Sequence, residues 1–153
     1  MGLNAFVYIN KSNLAEELQD SSFLTDDETG ELYPDPNDDR TYPAEMFTAA
    51  HKRLGNASLI GGLANAVSAI VGLDSVLMSK VLSSGSHSGD VVTLKDVERL
   101  ESEINLVRQK TDSFRSADLE KFLNSLLELI EAAKKQGNPI VFDQNGLRRL
   151  QGA

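Results

Sequence analysis

The pattern of hydrophobic positions near the start of the chain is that of a β-strand. The stretch from Leu3 to Ile9 is rich in β-branched and aromatic residues and alternates only loosely, which predicts a central strand with both faces at least partly covered. Residues 140–142 predict a short C-terminal strand that pairs with it. Between them, Gly30 supplies the positive φ of a hairpin loop, so we expect residues 24–26 to pair with residues 31–33.

Most of the remaining chain has the three- and four-residue apolar spacing of amphipathic helices, with a capping residue or a glycine at the ends. Helices are predicted over residues 13–19, 43–54, 56–72, 75–82, 93–109 and 116–137. The run 75–82 is short enough that its pattern also fits a buried strand. The predicted helix that begins at Pro43 has one apolar face, made of Met46, Phe47, Ala50 and Leu54. In the next helix, Gly61 and Gly62 keep the surface slim, so we expect a neighbouring element to approach it closely.

These patterns together predict an α+β fold in a single domain over residues 1–153. It is mostly helical, with about five or six helices, and its small sheet pairs the N-terminal strand, an acidic hairpin and the short C-terminal strand. With 41% hydrophobic residues, the chain is large and apolar enough for one core. Residues 143–153 are expected to form a loosely held tail.

Composition excludes several classes of chemistry. The chain has no cysteine, so disulfides, thiolate nucleophiles and cysteine-ligated zinc are excluded. The first six residues lack the basic and apolar regions of a signal peptide. The longest uncharged run, Leu54 to Leu73, is interrupted by glycine, asparagine and serine, which is not the pattern of a membrane span. We therefore expect a cytoplasmic protein.

Charge is distributed very unevenly along the chain. The net charge is −8, yet residues 12–39 hold ten acids and no lysine or arginine, while the rest of the chain holds 13 acids and 15 bases. Such a segment repels nucleic acid and anionic membranes and attracts basic proteins. The sequence thus favours a non-catalytic protein that binds a basic protein partner. Inhibitors and immunity proteins are one class of protein that fits this description. The predicted contact residues are Asp26, Asp27, Glu28, Glu31, Asp35, Asp38 and Asp39.

A loop rich in serine and glycine, residues 83–90, offers an alternative function. It contains His87 beside Ser86, Ser88 and Asp90, which are the residue types of nucleophilic catalysis and suggest a small hydrolase. The loop has no Gly-x-Ser-x-Gly elbow, and it lacks the Gly-Lys-Ser/Thr ending of a phosphate-binding loop. The competing interpretation is a turn whose side chains satisfy backbone groups.

Metal sites are weakly indicated. The segment from Asp35 to Asp39 imitates the first half of a calcium loop, but Arg40 stands where that loop needs glycine and Met46 where it needs glutamate. A looser calcium site would use Asp26, Asp27, Glu28, Asp38 and Asp39. The spacing of His51 and His87 does not indicate zinc, and His51 alone fits the edge of a helix. No cofactor is expected.

Four short segments carry a resemblance that spans most of the chain. They are Met1-Gly-Leu3, Arg53-Leu-Gly-Asn56, His87-Ser-Gly-Asp90 and Gly137-Asn-Pro-Ile-Val-Phe142. Together they resemble a group of small bacterial proteins that have no assigned activity. The resemblance implies a bacterial single-domain protein, and it implies no particular chemistry.

Overall fold

The fold is built on a four-stranded antiparallel sheet with helices on one face. The computed structural model describes residues 2–14, 16–18, 23–38, 40, 42, 44–82, 91–110 and 117–143. The strands of the main sheet, in spatial order, are β4 (Thr48–Asn56), β1 (Gly2–Tyr8), β6 (Ile140–Asp143) and β5 (Val91–Val92). A separate two-stranded sheet pairs β2 (Phe23–Thr25) with β3 (Leu32–Pro34).

The helical segments lie between and after these strands. The α-helices are α1 (Ala57–Val71), α2 (Leu94–Lys110) and α3 (Ala117–Gln136), and a π-helical segment covers Leu77–Val81. Short 3-10 turns cover Lys11–Asn13, Glu16–Leu18 and Ala44–Phe47. Within the described ranges, no helix combines the length and the hydropathy that crossing a bilayer requires.

Strand β1 is the centre of the main sheet, because it pairs with β4 on one side and with β6 on the other. Its loose alternation has a direct structural reason. Ala5 and Val7 are buried in the core under the helices, whereas Phe6 and Tyr8 are buried in a smaller cluster with Val141. The predictions of a central N-terminal strand and of its pairing with the C-terminal strand are confirmed.

Helix α3 supplies the largest share of the core, and it packs against β1 and β4. Its buried side chains recur at helical spacing: Leu119, Phe122, Leu123, Leu126, Leu129, Ile130 and Ala133. Full burial of one such leucine or phenylalanine stabilises a fold by roughly 1.5–3 kcal/mol. Helix α1 begins as predicted, because the Asn56 side chain accepts a hydrogen bond from Leu59 N at 2.8 Å, and it ends at Gly72.

The predicted helix over residues 43–54 is wrong. A 3-10 turn occupies Ala44–Phe47 and the strand β4 follows it directly. Along β4 the exposure of the side chains alternates, and Leu54 alone is fully buried. Seven residue pairs join β4 to β1, so the ladder outweighs the helical propensity of the two alanines. His51 therefore lies on a strand, not at a helix edge.

Three further expectations need correction. The hairpin strands form their own sheet and do not join β1, so the predicted three-part sheet is wrong. In the described ranges there are three α-helices and one π-helical segment, not five or six helices. The predicted helix over 13–19 is replaced by two 3-10 turns, the first capped by Asn10.

The expected close approach to the double glycine is also wrong. Positions that a Cβ would occupy on Gly61 and Gly62 have no neighbouring atom within 4 Å, and both residues are exposed on α1. Other predictions lie outside the described residues. These are the loop 83–90 with Ser86, His87, Ser88 and Asp90, the side chain of Asp39, and the tail beyond Asp143.

Candidate functional site

Residues 23–34 of the acidic segment fold into a hairpin whose loop is held by its own backbone hydrogen bonds. Phe23, Leu24 and Thr25 of β2 lie opposite Pro34, Tyr33 and Leu32 of β3. At the loop, Asp26 N donates to Glu31 O at 2.9 Å and Gly30 N donates to Asp26 O at 2.8 Å. Gly30 has a φ of +78°, a conformation that other residues adopt only with strain.

The inner face of the hairpin has its own small core. Phe23 and Leu32 are buried there together with Leu14, Leu18 and Phe47. Edge-to-face contacts join Phe23, Tyr42 and Phe47, with ring centroids 5.2 to 5.7 Å apart. This aromatic cluster fixes the hairpin to the 3-10 turn that precedes β4. The hairpin, residues 23–34, therefore has a fixed position against this part of the fold.

The outer face of the hairpin carries an exposed apolar pair. Leu24 and Tyr33 lie directly opposite each other, with exposed fractions of 41% and 38%. Side chains paired in this way stand about 4.5–5.5 Å apart at Cβ and form one continuous patch. Both residues lay within the predicted strands, and alternation places them opposite the buried Phe23 and Leu32. The sequence analysis did not identify this pair as a site, although it contained the signal.

Several of the predicted acidic contact residues serve the hairpin and the loop that follows it. The Asp26 carboxylate accepts hydrogen bonds from Glu28 N at 2.9 Å and from Thr29 N at 3.1 Å. Asp35 accepts from Asn37 N at 2.9 Å in the same manner. These are turns in which an aspartate replaces a backbone acceptor. Asp26 and Asp35 are thus positioning residues of the loops.

Asp38 has a more specific partner. Its carboxylate accepts hydrogen bonds from Arg40 Nε at 3.1 Å, from Arg40 Nη2 at 3.0 Å and from Tyr42 OH at 2.7 Å. These bonds, the Arg40 side chain first, hold the pKa of Asp38 well below its ordinary value. The Arg40 guanidinium also lies 5.3 Å from the centroid of the Tyr42 ring. The charge of the Asp38 carboxylate is therefore compensated by Arg40, two residues later in the loop.

Asp27 and Glu28 remain as exposed carboxylates at the tip of the hairpin, and Glu31 is half-buried beside them. We define the hairpin surface as Leu24, Tyr33, Asp27 and Glu28. It joins an apolar pair to two acids, neither of which forms a salt bridge with a described residue. The prediction that all seven acids contact a partner stays a prediction, and within the hairpin these four residues form a patch of mixed apolar and acidic character.

No metal centre is built by the described part of the chain. There, no group of three histidine, aspartate or glutamate side chains converges as metal ligands would. Among the predicted calcium ligands, Asp26 and Asp38 direct oxygens to backbone amides and to Arg40. Asp39 lies outside the described residues.

His51 lies on strand β4. Its ring stacks on Phe6 with a centroid distance of 4.6 Å, and its Nε2 lies 3.0 Å from Asn4 Oδ1. Partial burial lowers the pKa of His51.

Comparison of the chain with known protein families, with curated proteins and with solved structures found no match. The resemblance stated from the sequence therefore stays a prediction.

Proposed function

We propose that this chain is a non-catalytic binding protein whose hairpin surface docks a basic protein partner. One observation carries the proposal: Leu24 and Tyr33 form an exposed cross-strand pair on the hairpin whose tip carries the exposed residues Asp27 and Glu28. An aromatic and an aliphatic anchor with a charged rim is the composition of a protein-binding patch. The rigid attachment of the hairpin to its aromatic core lowers the ordering cost of binding.

The charge distribution supports a cationic partner. The ten acids of residues 12–39 outnumber the bases that lie against them in the described structure, which are Lys11, with its Nζ 3.5 Å from Phe23 O, and Arg40, which pairs with Asp38. The net charge around the hairpin is therefore negative, and it produces a negative field. Such a field speeds the approach of a basic protein and makes its association rate depend on salt. Leu24 and Tyr33 would then supply the contact that persists at high salt. Inhibition of a basic protein is one function that fits a surface in which the acids attract the partner and the apolar pair holds it.

A display selection tests the proposal without knowledge of the natural partner. Random 16-residue peptides are selected for binding to the wild-type chain, and the dissociation constants of the enriched peptides are measured at low and high salt. We expect enrichment in lysine and arginine together with an apolar residue. The double variant Asp27→Lys/Glu28→Lys should weaken the selected peptides by about tenfold or more, since two attractive contacts become repulsive.

The matched control is Glu98→Lys/Glu120→Lys, which changes net charge equally at exposed positions on α2 and α3. Thermal unfolding verifies that both double variants are folded. If the control weakened binding as much as the hairpin variant, the effect would be one of net charge, and the hairpin surface would not be the contact site. A selection without any basic enrichment would also contradict the proposal.

A further inference from the structure

A groove of about 430 Å³ lies between strand β4 and helix α3, and none of its lining residues belongs to the hairpin surface. Its strand wall is made of four consecutive residues, Ala49 to Lys52. Its helix wall includes Glu128, Glu131, Ala132 and Lys135, which lie on one face of α3. The alanines among the lining residues, Ala49 and Ala50 on the strand and Ala132 on the helix, leave space between the two walls.

The lining of the strand wall locates the groove at the edge of the sheet. Successive side chains of a strand point to opposite faces, so a pocket over one face would be lined by every second residue. Here four consecutive residues of the strand line the groove, which fits a groove that follows the backbone along its outer side. β4 is the terminal strand in the order β4-β1-β6-β5, and β1 is its strand neighbour in the described sheet.

A sheet edge of this kind presents backbone groups suited to pairing with another chain. The register between β1 and β4 is regular from Asn4 opposite Arg53 to Val7 opposite Ala50, and it shifts on either side of that stretch. The regular stretch of β4 therefore overlaps the groove wall at residues 50–52. A peptide strand laid beside it would have a flat ladder of the length that a short motif needs.

The charges on β4 indicate which peptide would bind. The strand contains His51, Lys52 and Arg53 in succession within a chain of net charge −8. His51 and Arg53 are exposed on one face of β4, whereas Lys52 lies on the groove side, where Glu128 Oε2 is 2.8 Å from its Nζ and compensates its charge. An added strand with carboxylates on the face of His51 and Arg53 would place opposite charges across from these two residues, which stabilises cross-strand pairs, and its apolar side chains would face the groove.

We propose that the edge of β4 and the facing wall of α3 bind an extended acidic peptide segment of a partner by β-strand addition. This site is independent of the hairpin surface, and it attracts the opposite charge. Lysine and arginine on an edge strand also discourage self-pairing of sheets. That role and acidic-peptide binding are compatible, because like-charged β4 strands repel each other while an acidic strand is attracted. The open groove beside α3 gives the added strand a second wall.

The test uses a fluorescein-labelled eight-residue peptide with alternating glutamate and valine and with blocked ends. Two further versions carry N-methyl groups on the glutamate amides or on the valine amides, which blocks one edge of the peptide strand at a time. We expect the unmethylated peptide to bind, one methylated version to lose binding, and the other to retain it. Amide hydrogen exchange of the folded chain should slow at residues 49–53 when the peptide is present.

Charge exchange tests the role of Arg53. Arg53→Glu should weaken binding of the acidic peptide about fivefold or more and should strengthen binding of a version in which lysine replaces glutamate. Lys95→Glu, at an exposed position on α2, makes the same change of charge and should leave the affinity unchanged. The reciprocal preference keeps the test decisive even if Arg53→Glu lowers stability.

Several outcomes would overturn the proposal. They are absence of binding, equal binding of both methylated peptides, or protection that spares residues 49–53. If the chain self-associates with rising concentration and the peptide competes with that association, the groove belongs to a second copy of the chain and the assignment to an acidic partner is wrong.

Discussion

Phe6 and His51 lie opposite each other on β1 and β4, with their rings stacked 4.6 Å apart at an angle of 13°. The stack covers one side of the imidazole, and Asn4 Oδ1 lies 3.0 Å from its Nε2. A neutral imidazole with a proton on Nε2 can donate to this oxygen. The lowered pKa of His51 therefore has a geometric origin on the sheet itself.

The pKa of His51 should lie below its ordinary value of 6.5. The unfolded chain then binds more protons than the native state as pH falls through that value. The contribution of His51 to stability is thus present above the unfolded pKa and is lost as pH falls toward the folded pKa. NMR titration of the imidazole measures the pKa, and Phe6→Leu should raise it because the covering ring is lost. A pKa at or above the ordinary value in the wild-type chain would contradict the burial argument.

Asp38 should resist protonation at an acidity where an ordinary aspartate is mostly neutral. Its pKa is depressed by the hydrogen bonds from Arg40 and Tyr42, so its stabilising effect is present above the unfolded pKa of 3.8 and is lost as pH falls through the lower folded value. Tyr42→Phe removes one donor and keeps the ring, so it should raise the pKa of Asp38. Carboxylate NMR titration makes the measurement.

Tyr33→Phe is the control for this change, since the Tyr33 ring lies on the outer face of the hairpin and is 38% exposed. It should leave the Asp38 titration unchanged. An Asp38 carboxyl that titrates like a free aspartate would show that the hydrogen bonds do not persist in solution.

Glu103 holds the start of the π-helical segment to α2. Its carboxylate accepts hydrogen bonds from Val76 N at 3.1 Å and from Leu77 N at 2.8 Å, and Arg99 Nε lies 3.2 Å from it. Glu103→Ala leaves two amides in a buried region without these acceptors, which should lower the free energy of unfolding by about 1–3 kcal/mol. Urea denaturation measures this loss. Glu98→Ala, exposed on the same helix, should change stability by less than about 0.5 kcal/mol, and equal losses in both variants would refute the capping role.

Alanine substitutions should have opposite effects at two glycines. At Gly30 the φ is +78° and a Cβ would lie 2.5 Å from Asn138 Oδ1, so Gly30→Ala should cost about 1–3 kcal/mol. Gly61 lies within α1, and a Cβ there meets nothing within 4 Å. Gly61→Ala should therefore stabilise the chain by about 0.5–1 kcal/mol. Thermal unfolding compares them, and a destabilised Gly61→Ala would reveal a contact at that face of α1.

The sequence predicted those elements whose local pattern and tertiary partners agree. Helix α1 has a capping asparagine at one end and a glycine at the other, and α3 has a broad apolar stripe, so both were placed correctly. Strand β1 was identified because an apolar β-branched run suits a strand covered on both faces. In these segments every local preference favours the same structure.

Residues 44–56 show where that reasoning fails. Phe47, Ala50 and Leu54 fit a helical stripe, while Ala50, Lys52 and Leu54 fit the inward face of a strand equally well. Alanine favours a helix. Lys52 stands between Ala50 and Leu54 on the inward face, so the alternation of apolar and polar residues that indicates a strand is interrupted. Pairing with β1, distant in sequence, decides the outcome. The groove beside β4 could not be predicted from the sequence for the same reason, because it forms only where β4 and α3 pack together in the fold.

The hairpin surface was only partly predictable. The charge asymmetry identified the segment, but the sequence cannot show which carboxylates turn inward to backbone amides, as Asp26 and Asp35 do. It also cannot show that Leu24 and Tyr33 share an exposed face until the register of the hairpin is known.

The most direct test of the proposed function is an NMR footprint of a selected basic peptide on the isotopically labelled chain. We predict that the largest shift changes fall on Leu24, Asp27, Glu28 and Tyr33, and that Leu24→Ser/Tyr33→Ser abolishes them while the chain stays folded. Changes centred on β4 and α3 instead, or spread evenly over acidic residues of the whole chain, would contradict the assignment of the hairpin as the binding surface.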